Sequence, residues 1–250
     1  MKQTSELRLL RNGVHNIFFL IFKGGKMYKY ETHLHTFPVS RCAKAEVKES
    51  LEFYKKLGYD GVFITNHFLD GNINIDNGVP YEEKIEFYFS DYEKGLEIGK
   101  RLGMKVFCGL ELSYKGTDFL VYGLDKNWFL AHPEIMQMKK TDQLAFMMQN
   151  GALIIQAHPF REAFYIDNIR LFPRHVHGVE TENACRSAEE NAMAKMYAEH
   201  YGLLKFAGSD NHSGSKQKKL AGVCSDTPIC DEADFIEKVK SKQTNIFTLP

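Results

Sequence analysis

The chain has five cysteines, Cys42, Cys108, Cys185, Cys224 and Cys230, but no pair at Cys-x-x-Cys spacing. An odd count at irregular spacing argues against a disulfide framework and against a structural zinc ribbon. A reducing cytoplasm is the expected setting. Neither sign of charge is in excess, since Lys and Arg number 32 and so do Asp and Glu. The overall charge therefore gives no signal for nucleic acid or a membrane surface as partner. Long hydrophobic runs are lacking too. The one membrane-like stretch, Ile17 to Phe22, is far too short to span a bilayer. Lys23-Gly-Gly-Lys26 follows it, with no small-residue cleavage site. Residues 1–26 are read as an N-terminal extension with no assigned role. No Pro/Gly/Ser-rich linker, internal repeat or low-complexity tract divides the remainder. Residues 27–250 are thus read as one domain, long enough for a substantial core. Gly-rich phosphate loops, dinucleotide fingerprints and Ser–His–Asp arrangements are absent as well.

What is present is an alternation of strand-like and helix-like segments. Strands are expected over Met27–His33, Gly61–Thr65, Lys105–Leu112, Asp118–Leu124, Ala152–Ala157, Gly178–Thr181 and Leu204–Gly208. Helices are expected over Ala43–Leu57, Tyr81–Leu102, Thr141–Asn150, Arg186–Tyr201 and Asp231–Lys240. Near-continuous apolar strands alternating with helices imply a parallel sheet with helices outside it. Strand ends from early, middle and late parts of the chain meet most easily in a closed barrel, which carries its active site on that face. The fold class is α/β, a TIM-like barrel.

The strand ends carry the chemistry. His33-Leu34-His35 closes the first strand, and residues two apart on a strand point the same way. Later strands finish on Asn66-His67, Leu110-Glu111, Ala157-His158 and Asp210-Asn211-His212. A lone His-x-His pair is most simply a hydrogen-bonded pair of core histidines. Five matching strand ends favour a multinuclear metal site instead. His158 precedes Pro159, which is expected to hold its backbone extended. A donor set of imidazole and carboxylate with no obligatory thiolate suits Zn, Mn or Fe. Bound metal lowers the pKa of water from about 15.7 to about 7, and paired metals can clamp the attacking and leaving oxygens of a phosphate ester. The chemistry implied is hydrolysis.

His33-Leu-His35-Thr, Ile64-Thr-Asn-His67, Gly109-Leu-Glu111, Ala157-His158-Pro-Phe and Gly208-Ser-Asp210-Asn-His212 together resemble the polymerase and histidinol phosphatase (PHP) family of metal-dependent phosphoesterases. The resemblance spans nearly everything from Tyr28 to His212. It implies a distorted (βα)7 barrel with up to three metal ions and phosphoester hydrolysis as the usual activity. By position, His33, His35, Glu111 and Asp210 look like ligands of one metal. Glu111 looks like the bridge to a second that also uses His158, and His67 and His212 look like ligands of a third. Two positions depart from the family pattern. A histidine often found after the first pair is replaced by the region of Arg41 and Cys42. Asp118 stands where many relatives carry His; it is either an oxygen ligand or a solvated carboxylate. Two or three divalent ions are therefore expected.

A phosphate needs cationic donors beside the metals, and Arg offers a bidentate fork. Arg161 follows the His158 turn and is the first candidate for substrate binding, with Arg186 and Arg41 after it. Glu111, His158, Asp210 and His212 are the candidate catalytic residues, with Asp210 or His212 also able to assist proton transfer. Phe87, Tyr88, Phe89 and Tyr92 lie at helical spacing, as core packing requires. The expected function is hydrolysis of a small phosphomonoester, such as histidinol phosphate or a nucleotide or sugar phosphate. A nuclease of the same family and a non-catalytic metal-binding domain are the alternatives.

Overall fold

The computed structural model describes residues 26–250. The extension expected over residues 1–26, with its apolar stretch Ile17 to Phe22, lies outside the described residues except for Lys26. The strands are β1 (Tyr28–Leu34), β2 (Gly61–Ile64), β3 (Lys105–Tyr114), β4 (Thr117–Tyr122), β5 (Leu153–Ala157), β6 (Gly178–Asn183), β7 (Leu204–Gly208), β8 (Leu220–Ser225) and β9 (Thr244–Leu249). The α-helices are α1 (Val47–Lys56), α2 (Tyr81–Leu102), α3 (Lys126–Ala131), α4 (Lys140–Gln149), α5 (Ala188–Tyr201) and α6 (Glu232–Lys240).

The strands form one sheet in the order β7-β6-β5-β4-β3-β2-β1-β8-β9. β1, β2 and β3 pair in parallel, as do β5, β6 and β7. The sheet curls until the chain leaving β7 meets the end of β1. There Leu34 and Asn211 form a parallel bridge, with His35 N–H donating to Asn211 O at 3.0 Å and Asn211 N–H to His33 O at 3.1 Å. The start of β1 pairs instead with β8, antiparallel. One strand thus has different neighbours at its two ends, and the barrel is distorted and nearly closed.

The wholly parallel sheet expected from the sequence needs correction, because β4 runs antiparallel to both β3 and β5. A two-residue turn, Lys115-Gly116, with φ of 50° and 83°, joins β3 to β4. Positive φ at both positions is the geometry that lets a tight hairpin follow strand twist. The reversal has a functional consequence. It brings the start of β4, and so Asp118, to the rim where β1, β2, β5, β6 and β7 end. β8 and β9 lay outside the sequence expectation. β8 is a short Ala/Gly-containing run, and its Gly222 is needed for packing, since a Cβ there would lie 2.3 Å from Tyr30 O.

Apolar and polar side chains divide the barrel along its axis. Tyr30, Phe63, Phe107, Tyr122, Phe206 and Phe235 fill one part of the interior. Phe235 of α6 plugs that end, 4.2 Å from the Phe63 ring and 5.3 Å from Tyr122, centroid to centroid. Each such buried ring contributes roughly 1.5–3 kcal/mol. The Tyr122 hydroxyl donates to Thr32 O at 2.7 Å and marks the boundary. Beyond it come the histidines. On α2, Tyr88 and Phe89 are core residues, as their spacing predicts. The Tyr88 hydroxyl contacts Asn66 O at 3.1 Å and Gly109 O at 2.9 Å, so the helix braces the ends of β2 and β3. α5 begins two residues after its predicted start because Ser187 caps it, exchanging hydrogen bonds with Glu190.

Candidate metal centre

His33 and His35 leave β1 with both rings fully buried, and each ring is fixed from behind. His33 Nδ1 lies 3.0 Å from Glu180 Oε1 on β6. His35 Nδ1 lies 3.1 Å from Ser40 Oγ. The Ser40 hydroxyl donates to Asn66 Oδ1 at 2.8 Å and accepts from His67 N–H at 3.0 Å. Its remaining role toward His35 is acceptor, so the His35 proton sits on Nδ1. Both Nε2 atoms then face the centre of the site, 3.1 Å apart.

Glu111 occupies that centre. Its Oε1 is 3.3 Å from His33 Nε2 and 3.2 Å from His158 Nε2. Its Oε2 is 3.4 Å from His35 Nε2 and 2.8 Å from His67 Nδ1. The last contact is an ion-pair distance without hydrogen-bond alignment, and both atoms remain unsatisfied though buried. Asp210 closes the opposite side, with Oδ1 3.5 Å from both His33 Nε2 and His35 Nε2 and Oδ2 3.8 Å from His158 Nε2. His212 places Nδ1 2.9 Å from Asp210 O and stacks its ring 4.1 Å from that of His35.

Two of these residues have strained backbones. His158 has φ 25° and Asp210 φ 53°. The extended conformation expected before Pro159 is thus corrected. The His158 N–H is held by Glu180 Oε2 at 3.1 Å while the ring reaches Glu111. Such φ values cost of order 1–3 kcal/mol for a non-glycine residue and cluster at functional sites. Gly208 permits the close approach of β7 to β1, since a Cβ there would lie 2.4 Å from His33 Cβ and 2.7 Å from Glu180 Oε1.

Asp118 and Arg161 meet at 3.1 Å beside this group, and Asp118 Oδ2 is 4.0 Å from His158 Nε2. Asp118 is buried and not a solvated carboxylate. Arg161 Nε is buried without a partner. Arg41 is exposed, Arg186 half-buried near the start of α5, and neither forms an ion pair among the described residues. Cys42 is half-buried.

The charges of the site follow from this packing. Burial opposes protonation of His33, yet Glu180, Asp210 and Glu111 hold its pKa well above the ordinary value. Burial likewise opposes, and Glu111 and Cys42 outweigh it, at His67. His35 is pushed well below the ordinary value by burial and by His212 and His67. Glu111 and Asp210 are held well below the usual carboxylate range; burial resists, but His67 and His33 prevail at Glu111, and His33 and His35 at Asp210. Burial raises Asp118. Burial also pushes the Cys42 thiol up, but His212 and His67 bring it down to about 6.

Three groups of side chains have donor atoms within 4.8 Å of one another: His33, His35 and Asp210; His33, Glu111 and His158; and His35, His67 and His212. The residues fit divalent cations. Two imidazole nitrogens 3.1 Å apart, each with its other nitrogen already engaged, need a cation or a proton between them. The unsatisfied His67 Nδ1 and Glu111 Oε2 point to the same requirement. His33 and His35 are each shared between two groups, which the sequence did not anticipate.

Residues behind the donors were less legible. Glu180 on β6 orients both His33 and His158. Glu31 was missed. Its Oε1 accepts from the N–H groups of Thr32 at 3.0 Å, His33 at 2.8 Å and Ser209 at 2.9 Å, pinning β1 to β7 beneath the donors. Burial raises its pKa to about 7 despite those donors. Its spacing, two residues before His33 on the same strand face, was the available signal. Ser40, Asn66 and Asp91 form a chain through Thr36 that also went unread.

Comparison with known proteins agrees on the fold. No family model and no curated protein matches the sequence. Among solved structures, a two-domain protein from Bacteroides vulgatus ATCC 8482, containing a predicted PHP-like metal-dependent phosphoesterase, superposes with a TM-score of 0.65 at 14% identity. The match covers 90% of this chain and 66% of that one, so this chain spans just under two thirds of its length. A protein from Bifidobacterium adolescentis ATCC 15703, proposed to be a metal-dependent phosphoesterase, matches with TM-score 0.50 at 14% identity, over 79% of this chain and 92% of that one. PsfC from Pseudomonas syringae PB-5123 matches with TM-score 0.58 at 19% identity, over 89% and 91%. The fold is that of the PHP-like metal-dependent phosphoesterases.

Proposed function

We propose that this protein is a metal-dependent phosphoesterase of PHP type that hydrolyses a small phosphomonoester. The observation that carries the reading is Glu111, whose two carboxylate oxygens lie 2.8–3.4 Å from nitrogens of His33, His35, His67 and His158. A carboxylate so placed can bridge two cations, and bridged cations are a recurring arrangement for phosphoester hydrolysis. His33, His35 and Asp210 would hold one ion, Glu111 and His158 a second, and His67 and His212 a third. Zn, Mn or Fe suits these donors. Bound ions would supply Lewis acidity for phosphoryl oxygens and acidify the attacking water.

The chain's own residues set the geometry. Glu180 and Ser40 hold the far nitrogens of His33 and His35, which keeps the near nitrogens aimed inward. Arg161 has one edge on Asp118, and the part-exposed remainder of its guanidinium would offer a donor to an equatorial phosphate oxygen. Asp118 is a further oxygen donor and also positions Arg161. Arg41 and Arg186 are left for the distal part of a substrate. Free cysteines suit a reducing cytoplasm. No helix of the described residues is long and apolar enough to cross a membrane, and a chain without an excess of either charge suits a small phosphorylated substrate better than nucleic acid.

The test is a panel of phosphomonoesters, phosphodiesters and oligonucleotides, offered to metal-loaded wild type and Asp210→Asn. Asn is chosen because it tolerates the positive φ that Ala would strain. Monoester hydrolysis lost in the variant is expected. Preferred cleavage of oligonucleotides supports the nuclease alternative, and metal binding without any turnover supports a binding domain.

A further inference from the structure

We propose that Asp91, a buried carboxylate on α2, is a positioning residue of the metal centre, acting through Thr36 and Asn66 on His35 and His67. The proposal rests on the metal-binding reading above and adds to it a residue that touches none of the donors. A chain of hydrogen bonds carries the effect, and its direction is fixed. The Thr36 N–H donates to Asn66 Oδ1 at 2.7 Å, so a backbone donor identifies the oxygen of that amide. Asn66 Nδ2 then donates to Thr36 Oγ1 at 2.9 Å. The Thr36 hydroxyl gives its one proton to Asp91 Oδ2 at 2.8 Å. At the other end Asn66 Oδ1 takes the Ser40 proton at 2.8 Å. Ser40 Oγ is left to accept from the His67 N–H at 3.0 Å and from His35 Nδ1 at 3.1 Å. A carboxylate oxygen accepts, so Asp91 is the fixed end of the chain.

The helix α2 grips Asn66 twice. Tyr88 and Asp91 are three residues apart and so share one face of the helix. The Tyr88 hydroxyl contacts Asn66 O at 3.1 Å, and the same oxygen accepts from the Glu111 N–H at 3.0 Å. Thr36 directly follows His35 and Asn66 directly precedes His67, so the grip acts on backbone beside the proposed donors. Independently, Asp91 is expensive where it stands. It is 1% exposed, and its Oδ1 is buried without a hydrogen-bond partner. Its ion-pair contact, Lys94 Nζ, is 3.7 Å away on a largely exposed side chain. A buried carboxylate so weakly compensated destabilises the fold, and an apolar side chain would pack α2 at less cost. The one close side-chain partner of Asp91 is Thr36, which leads to the metal centre.

Zinc binding by the full chain, read in competition with a chromophoric chelator, tests the assignment without reference to turnover. Asp91→Leu has similar size without the acceptor, and Thr36→Val has the same shape without the hydroxyl. Each should weaken zinc binding by roughly 10–100-fold. Thr36→Ser restores the hydroxyl and Asp91→Asn keeps an oxygen to receive its proton, so both should stay near wild type. Heteronuclear NMR of the isotopically labelled, metal-free protein is the second readout. His35 should carry its proton on Nδ1 in wild type and shift toward the Nε2 tautomer in Asp91→Leu and Thr36→Val, a change that loss of packing alone would not produce. Circular dichroism shows whether the variants fold, and Thr36→Val carries the test if Asp91→Leu does not. Wild-type zinc affinity with the proton still on Nδ1 in Thr36→Val overturns the assignment and leaves the phosphoesterase reading standing. A loss in Thr36→Val that Thr36→Ser fails to restore overturns it too. A wild type that binds no zinc overturns both.

Discussion

His33 Nδ1 lies 3.0 Å from Glu180 Oε1, with neither side chain reached by solvent. That contact fixes which nitrogen of His33 faces the other donors. The same carboxylate accepts from His158 N–H at 3.1 Å and Asn183 Nδ2 at 2.8 Å through its second oxygen. All its partners are donors, so Glu180→Gln places an amide against an N–H wherever it turns. Glu180→Gln and Glu180→Ala are expected to weaken metal binding by roughly 10–100-fold, the range for outer partners of metal ligands. Chelator competition measures it, and unchanged affinity contradicts the positioning role.

Gly208 gives a steric prediction. Gly208→Ala would set a methyl group 2.4 Å from His33 Cβ, with backbone and buried side chains unable to yield. About 1–3 kcal/mol of stability should be lost, as for overpacked cores, and metal affinity should fall with it. Gly78→Ala, with nothing within 4 Å, is the control. Urea unfolding of the two variants compares them; equal midpoints would refute the account of β7 packing against β1.

The pH dependence has a defined sign. In the metal-free protein His33 and His67 have pKa values raised well above the ordinary value. Their stabilising contribution is complete below the unfolded value of about 6.5 and is lost as pH rises through the folded values. Glu111 and Asp210 are lowered, so theirs is present above the unfolded values of about 4 and is lost at lower pH. Metal must displace the imidazole protons, so its affinity rises where the metal-free protein weakens. The difference in Tm between metal-loaded and metal-free protein should widen from about pH 6 to about pH 8. A constant or narrowing difference contradicts the protonation states assigned.

Arg161 carries a prediction about substrate. On the proposed function, its contact with Asp118 beside His158 would make it a phosphate donor next to the metal ligands. Arg161→Ala should lower kcat by roughly 10²-fold or more, as for loss of one preorganised donor. Arg161→Lys should recover little, because an ammonium lacks the planar fork. Steady-state kinetics on the best monoester decides, and an unaffected kcat removes Arg161 from the site.

The donors themselves were legible because each closes or crosses a strand, and period-two alternation puts His33 with His35. The β3–β4 reversal was hidden, since Lys115-Gly116 carries its turn signal in two residues and the strands on either side read as apolar runs. Asp118 was left ambiguous for the same reason: only an antiparallel β4 takes its first residues to the site. Glu31 and Ser40 were unreadable in role because their partners, Ser209 and Asn66, are distant in sequence and meet them only when the barrel curls.

The most direct measurement is metal content and monoester hydrolysis of Glu111→Gln against wild type. Gln keeps the size of Glu111 and removes the charge shared by four imidazoles. Wild type should hold two or three equivalents and hydrolyse phosphomonoesters, and Glu111→Gln should lose at least one equivalent together with the activity. Full metal content and unchanged hydrolysis in Glu111→Gln would contradict a centre built around this carboxylate.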